Sequence, residues 1–233
     1  MTIFTRAMID PRHRLAMRAL ASLERMHAII ARATDGDTDL SRVLWRLDPG
    51  RTRQPSRLYI VSPNVPDAEI LRQELGVGTA DISTCSYEPF LSRLECGQEW
   101  GFRLKANPTH SEPSGEPGKR GKRTGIIRVE EQQEWLFHQA RRAGFHMPIN
   151  RLELPEVLVR HSVQEKFRRK GSTVTLTSAT YDGVLVVDDP DLLRRSLIEG
   201  IGRAKGYGFG LLTLMPLADD HRKEPRSLSL IHI

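Results

Sequence analysis

At 233 residues the chain has room for one large domain or two of about a hundred residues each, enough to bury a proper core. The 35 Lys and Arg residues against 29 Asp and Glu leave a formal charge of +6, which favours an anionic partner. Only Cys85 and Cys96 are present, outside any C-x-x-C pair, which argues against a zinc ribbon or disulfide framework, and no stretch approaches the ~18 apolar residues of a membrane span; a soluble, cytoplasmic protein that makes no membrane contact is expected.

In chain order, residues 2–9 read as a strand, and Asp10-Pro11 supplies an N-cap and first-turn proline for a helix running to about residue 32. Ala16, Ala19, Leu20, Leu23, Met26 and Ile30 recur at three- and four-residue steps and form its buried stripe. Strands are predicted at 42–48 and 56–62, a helix at 66–75 and a strand at 98–108, giving the order β-α-β-β-α-β. "THSEPSGEPGKRGKRTG", residues 109–125, is polar, basic and rich in glycine and proline, as expected of a linker or loop.

The second half repeats the theme. "GIIRVE" reads as a short strand, 130–144 as a helix, 156–189 as strands with turns, 190–202 as the last helix and "GFGLLTLMP" as a final strand. The expected fold is α+β, with tandem ferredoxin-like (RRM-like) βαββαβ domains at 1–108 and 126–217, joined by the basic segment 109–125. Residues 218–233 follow the last strand without a place in either unit and read as a disordered tail.

"GIGRAKGYGFGLLTL", residues 200–214, holds five glycines. Glycine is costly in regular structure and is kept where φ must be positive or another backbone must come close. The order helix, glycine loop, strand is the reverse of the dinucleotide fingerprint, and no phosphate-binding G-x-x-x-x-G-K-[ST] motif is present, so no nucleotide cofactor is expected. Two readings stay open: a row of backbone N–H groups with Arg203 and Lys205, suited to an RNA backbone, or tight packing between the two domains.

This segment resembles the C-terminal glycine-rich signature of the repeat-associated RNA-binding proteins of CRISPR systems. "GFRLKANP" (101–108), "VLWRLDP" (43–49) and "YDGVLVVDDPDLL" (181–193) are similar, in matching order, to the CasE branch, over roughly residues 1–217. The resemblance implies tandem ferredoxin-like domains and an endoribonuclease of the Cascade complex. Such an enzyme cuts CRISPR precursor RNA at the repeat hairpin and stays bound to the mature crRNA beside other Cascade subunits. It also implies metal-independent cleavage, with no cofactor. The alternative is a non-catalytic RNA-binding subunit of the same superfamily; a weaker one is a two-domain RNA-binding protein outside CRISPR systems.

Metal-free cleavage uses the ribose 2′-OH as nucleophile and needs a base, a cation and an acid. Histidine suits the proton work because its ordinary pKa is about 6.5. His27, four residues after Leu23, lies at the edge of the helix stripe and by itself reads as a boundary residue. The resemblance makes it the catalytic residue, since "MHAII" matches the position of the family's histidine. Family members carry a tyrosine three residues earlier, where this chain has Glu24.

Three basic clusters are candidates for gripping RNA: Arg103 and Lys105; Lys119, Arg120, Lys122 and Arg123; and Lys166, Arg168, Arg169 and Lys170. The last falls on a probable hairpin that resembles the family's RNA-contacting basic segment. Duplex RNA is read mainly through shape and phosphates, which suits arginine. The RNA-binding set predicted here is Arg103, Lys105, Arg168, Arg169 and Lys170 with Gly202, Arg203, Lys205, Gly206 and Gly208 of the glycine loop.

Overall fold

The computed structural model describes residues 1–34, 43–50, 54–112, 121–169 and 172–217. The expected tail at 218–233 lies outside them.

The first sheet has the order β2-β3-β1-β4, all neighbours antiparallel, from β1 (Ile3–Ile9), β2 (Leu44–Asp48), β3 (Ser56–Ser62) and β4 (Ile82–Ser86). Helices α1 (Arg14–Leu20) and α2 (Leu23–Ala33) connect β1 to β2, and α3 (Ala68–Leu75) connects β3 to β4. This is the split βαββαβ arrangement of a ferredoxin-like fold. Ala7, Ile9, Leu58 and Ile60 on one face of the sheet bury against Met26, Ile29 and Ile30 of α2 and Leu71 of α3.

Two local expectations are corrected. The single helix from residue 10 to 32 is two, because Ser22 takes an extended φ of −143° and its hydroxyl accepts the Arg25 N–H, capping α2. Asp10 does not open a helix at all; its carboxylate accepts from the Arg12 N–H and guanidinium, and α1 starts at Arg14.

The second sheet has the order β11-β5-β10-β8, from β5 (Glu99–Ala106), β8 (Phe145–His146), β10 (Ser172–Val187) and β11 (Leu212–Met215), with β9 (Val157–Arg169) also paired to β10. Helix α5 (Val129–Arg142) lies between β5 and β8, and α6 (Pro190–Glu199) between β10 and β11. The same split βαββαβ order recurs, so the two ferredoxin-like units stand in tandem.

The boundaries drawn at 108 and 126 do not follow the sheets. Strand β5 pairs with β10 and β11 and opens the second unit rather than closing the first, whose last strand is the polar β4. The described ends of the 109–125 segment correspondingly do not link the sheets: β6 (Thr109–Glu112) and β7 (Lys122–Gly125) pair with each other between β5 and α5. "GIIRVE" forms no strand of its own; it spans the end of β7 and the start of α5. The units are joined through α4 (Glu88–Leu91) and the turns after it, which Arg194 of α6 pins by donating to the Leu91 and Leu94 carbonyls.

The second core is shared. Leu104, Leu136, Tyr181, Leu193 and Leu212 of the second unit form one buried cluster with Phe4, Leu44 and Val61, which lie in register on the helix-free face of the first sheet. Beyond the part of β10 paired to β5, the hairpin of β9 and β10 continues as two strands alone, and β9 bulges near His161, whose φ is 50°.

Candidate active site at the junction of the two units

At the junction, the edge strand β2 of the first sheet meets β5 and β11 of the second. Arg46 of β2, only 2% exposed, donates to Asp48 Oδ1 at 2.8 Å, to the Arg103 and Leu211 carbonyls at 2.9 and 3.0 Å, and to Thr213 Oγ1 at 2.8 Å. Its guanidinium carbon sits 5.3 Å from the centre of the Tyr59 ring. A buried guanidinium with its donors matched to carboxylate, carbonyls and hydroxyl is satisfied, and it fixes the two sheets against each other.

The glycine loop closes the junction from the other side. Helix α6 ends at Gly200, and the Ile201 N–H returns to the Gly210 carbonyl at 2.9 Å, folding the intervening residues into a compact loop. Its tip is a 3-10 turn, Lys205–Tyr207, flanked by left-handed Ala204 and Gly208. This tip packs on α2 and β2 of the first unit. The Trp45 indole N–H donates to the Gly206 carbonyl at 2.9 Å, and a Cβ on Gly208, whose φ is 82°, would lie 2.7 Å from the Trp45 ring. Close approach between the units therefore accounts for the glycines of the tip.

His27 sits at this contact. It is half-buried on α2, with its ring centre 5.4 Å from that of Tyr207, and a Cβ on Gly206 would lie 3.2 Å from its Cε1 and 3.3 Å from its Nδ1. Tyr207 in turn packs on Phe167 of β9, ring centres 4.9 Å apart. A histidine on the first unit, the loop tip of the second and the projecting part of β9 thus converge. Glu24 is exposed in the first turn of α2, where an acidic side chain suits the helix dipole.

The other predicted residues divide. Gly206 and Gly208 are at the tip with His27, and Lys205 begins the turn; burial pushes the Lys205 ammonium below the usual lysine range, with Glu199 acting the other way. Gly202 and the exposed Arg203 lie earlier in the loop, where Gly202 faces Trp135 of α5. Arg103 and Lys105 are already paired internally. Arg103 donates to Asp182 at 2.6 and 2.8 Å and to Asp48 at 3.3 Å, which holds its guanidinium charged. Lys105 pairs with Glu165 at 2.9 Å and lies over the Phe209 ring. The backbone of Arg168 and Arg169 is in β9, near its end, while Lys170 lies outside the described residues. So do Lys119 and Arg120 of the other basic cluster.

Four residues of the junction were not singled out from sequence: Trp45, Arg46, Phe167 and Tyr207. For Tyr207 a signal existed, since an aromatic ring between Gly206 and Gly208 has no neighbouring side chain to lean on and must pack on something else.

Residues 3–216 match the model of the CRISPR associated protein family. The chain is similar to the CRISPR-associated endoribonuclease Cse3 of Thermus thermophilus, 28% identical over 91% of this chain and 99% of that one. It is also similar to the Cascade subunit CasE of Escherichia coli, 29% identical over 81% of this chain and 97% of that one. Among solved structures, Thermus thermophilus Cse3 bound to an RNA representing a pre-cleavage complex superposes with a TM-score of 0.77 at 26% identity, covering 92% of this chain and 99% of that one.

Proposed function

The chain belongs to the CRISPR associated protein family, and from that premise we propose that it is the endoribonuclease that cuts CRISPR precursor RNA at the repeat hairpin, keeps the crRNA product and joins the other Cascade subunits. The observation that carries the site assignment is the seat of His27, half-buried where the loop tip and β9 converge on α2. Both relatives, the endoribonuclease and the Cascade subunit, match over nearly their whole length, so the activity is assigned to the whole chain rather than to one unit.

His27 moves the proton of the reaction. The attacking 2′-OH must lose a proton and the departing 5′-oxygen must gain one, and imidazole is the side chain suited to accept or donate a proton in such steps. The first unit contributes this group, and the second holds the RNA. Arg168, Arg169 and Lys170 grip phosphates, and the glycine loop with Arg203 and Lys205 lies along the strand that is cut. Arg103 and Lys105 act on RNA less directly, since their charges are balanced by Asp182, Asp48 and Glu165; they shape the sheet surface beside the site. The place of action is the cytoplasm, in keeping with the free thiols of Cys85 and Cys96. Among the described residues no helix is long and apolar enough to cross a membrane.

Attack by the 2′-OH requires no metal. The test is incubation of the repeat hairpin with the protein in excess chelator: a single cut leaving a 2′,3′-cyclic phosphate and a 5′-hydroxyl is expected. Strict dependence of the chemical step on a divalent metal would contradict the mechanism, and tight binding without any cut would favour the non-catalytic RNA-binding subunit.

A further inference from the structure

We propose that Tyr207 is a positioning residue for His27: its ring, wedged between His27 and Phe167, sets the direction in which the imidazole points. The inference rests on the assignment of His27 above. A histidine ring rotates about a broad, roughly two-fold torsion, so a proton-transfer histidine needs something to hold it. Commonly that is a hydrogen bond to one ring nitrogen. Here no hydrogen bond holds the imidazole among the described residues, and what touches it is the loop tip: Gly206 on one side and the Tyr207 ring tilted at 46° to it.

The Tyr207 ring is itself well fixed. Its backbone N–H donates to the Ala204 carbonyl at 2.8 Å within the 3-10 turn, and the turn is anchored to the first unit by the Trp45 indole on the Gly206 carbonyl. Phe167, at 4.9 Å and tilted by 46°, closes the far side of the ring. The three rings form a row from α2 through the loop tip to β9, so any shift of the loop or of the projecting hairpin is passed to His27 by direct contact. It is the ring of Tyr207, rather than its hydroxyl, that makes both of these contacts.

The test compares Tyr207→Ala, Tyr207→Phe and His27→Ala. Each is measured for single-turnover cleavage of the repeat hairpin and for affinity toward a hairpin carrying a 2′-deoxy nucleotide at the cut; the Tyr207 variants are also measured for the proton resonance of His27 Cε1, beside the Tyr207 ring. A misplacement of about 1 Å costs on the order of 10²-fold in rate, so Tyr207→Ala should cleave roughly 10- to 100-fold more slowly. Its affinity should change little, and the His27 resonance should shift. Tyr207→Phe should restore both the rate and the resonance. Should the alanine variant unfold, Tyr207→Leu, which keeps bulk without a planar ring, carries the same test.

A folded Tyr207→Ala with the wild-type rate and an unmoved resonance would overturn the inference, as would a phenylalanine variant as slow as the alanine one. The assignment beneath it fails separately: there, His27→Ala itself would cleave at the wild-type rate.

Discussion

Replacing Arg46 by methionine removes a fully buried side chain that bonds both sheets. The guanidinium is 2% exposed and serves Asp48, the Arg103 and Leu211 carbonyls and Thr213. Methionine fills much of the space but donates nothing, so two carbonyls lose a buried partner and Asp48, 12% exposed, is left with Arg103 at 3.3 Å. Removing one member of a buried ion pair costs about 3–5 kcal/mol. That is a large part of the roughly 5–15 kcal/mol that holds a domain folded. With an m-value near 3 kcal/mol per molar urea, the unfolding midpoint should fall by about 1 M or more. Arg46→Lys should fall in between, because an ammonium cannot span the carboxylate and both carbonyls at once. Urea unfolding followed by tryptophan fluorescence reads the change, since Trp45 lies in the junction. A midpoint shift below about 0.3 M in Arg46→Met, under 1 kcal/mol at that slope, would refute the view that Arg46 couples the sheets.

Three further outcomes follow from the same geometry. Gly206→Ala places a Cβ 3.2 Å from His27 Cε1; relieving that contact moves the ring by a few tenths of an ångström, so single-turnover cleavage should slow by roughly 3- to 6-fold with little change in unfolding midpoint. Ser22→Ala removes the cap of the helix that carries His27, and at 3.3 Å the hydrogen bond is long, so the loss, measured by urea unfolding, should lie near the lower end of about 0.5–2 kcal/mol. Arg168→Ala with Arg169→Ala should weaken hairpin binding and flatten the slope of log affinity against log salt by about 1.4–1.8, the contribution of two phosphate contacts, in a titration over salt concentration.

Local pattern carried much of the fold. Strands β1, β2 and β3 and helices α3 and α6 lie where alternation, helical spacing and caps place them, with Asp67 and Asp189 accepting N–H groups of the first turns of α3 and α6. What local pattern could not carry was partnership. Strand β5 has the same alternation whichever sheet it joins, and only its pairing with β10 and β11 assigns it to the second unit. Strand β4, "ISTCS", is an edge strand with little of its surface buried, so it lacks an apolar alternation to announce it. The break between α1 and α2 turns on one hydroxyl at Ser22.

At the site, helical spacing placed His27 only at the rim of a buried stripe, and its role came from resemblance. The ion pairs of Arg103 and Lys105 were hidden for a different reason. Their partners Asp182 and Glu165 lie far along the chain and meet them only once β9, β10 and β5 assemble. A basic residue in a motif and a basic residue free to meet phosphate look alike until that assembly is known. The glycine loop, by contrast, had left two readings open, and at its tip the glycines serve contact between the units, beside the very histidine proposed to act on RNA.

The central claim is that His27 transfers a proton in RNA cleavage while binding is spread over other residues, and the measurement that tests it most directly is single-turnover cleavage of the cognate repeat hairpin by folded His27→Ala, with affinity measured alongside. Loss of one positioned proton-transfer group predicts a rate lower by ~10²- to 10⁴-fold at nearly unchanged affinity; a folded variant that cleaves at the wild-type rate would contradict the account.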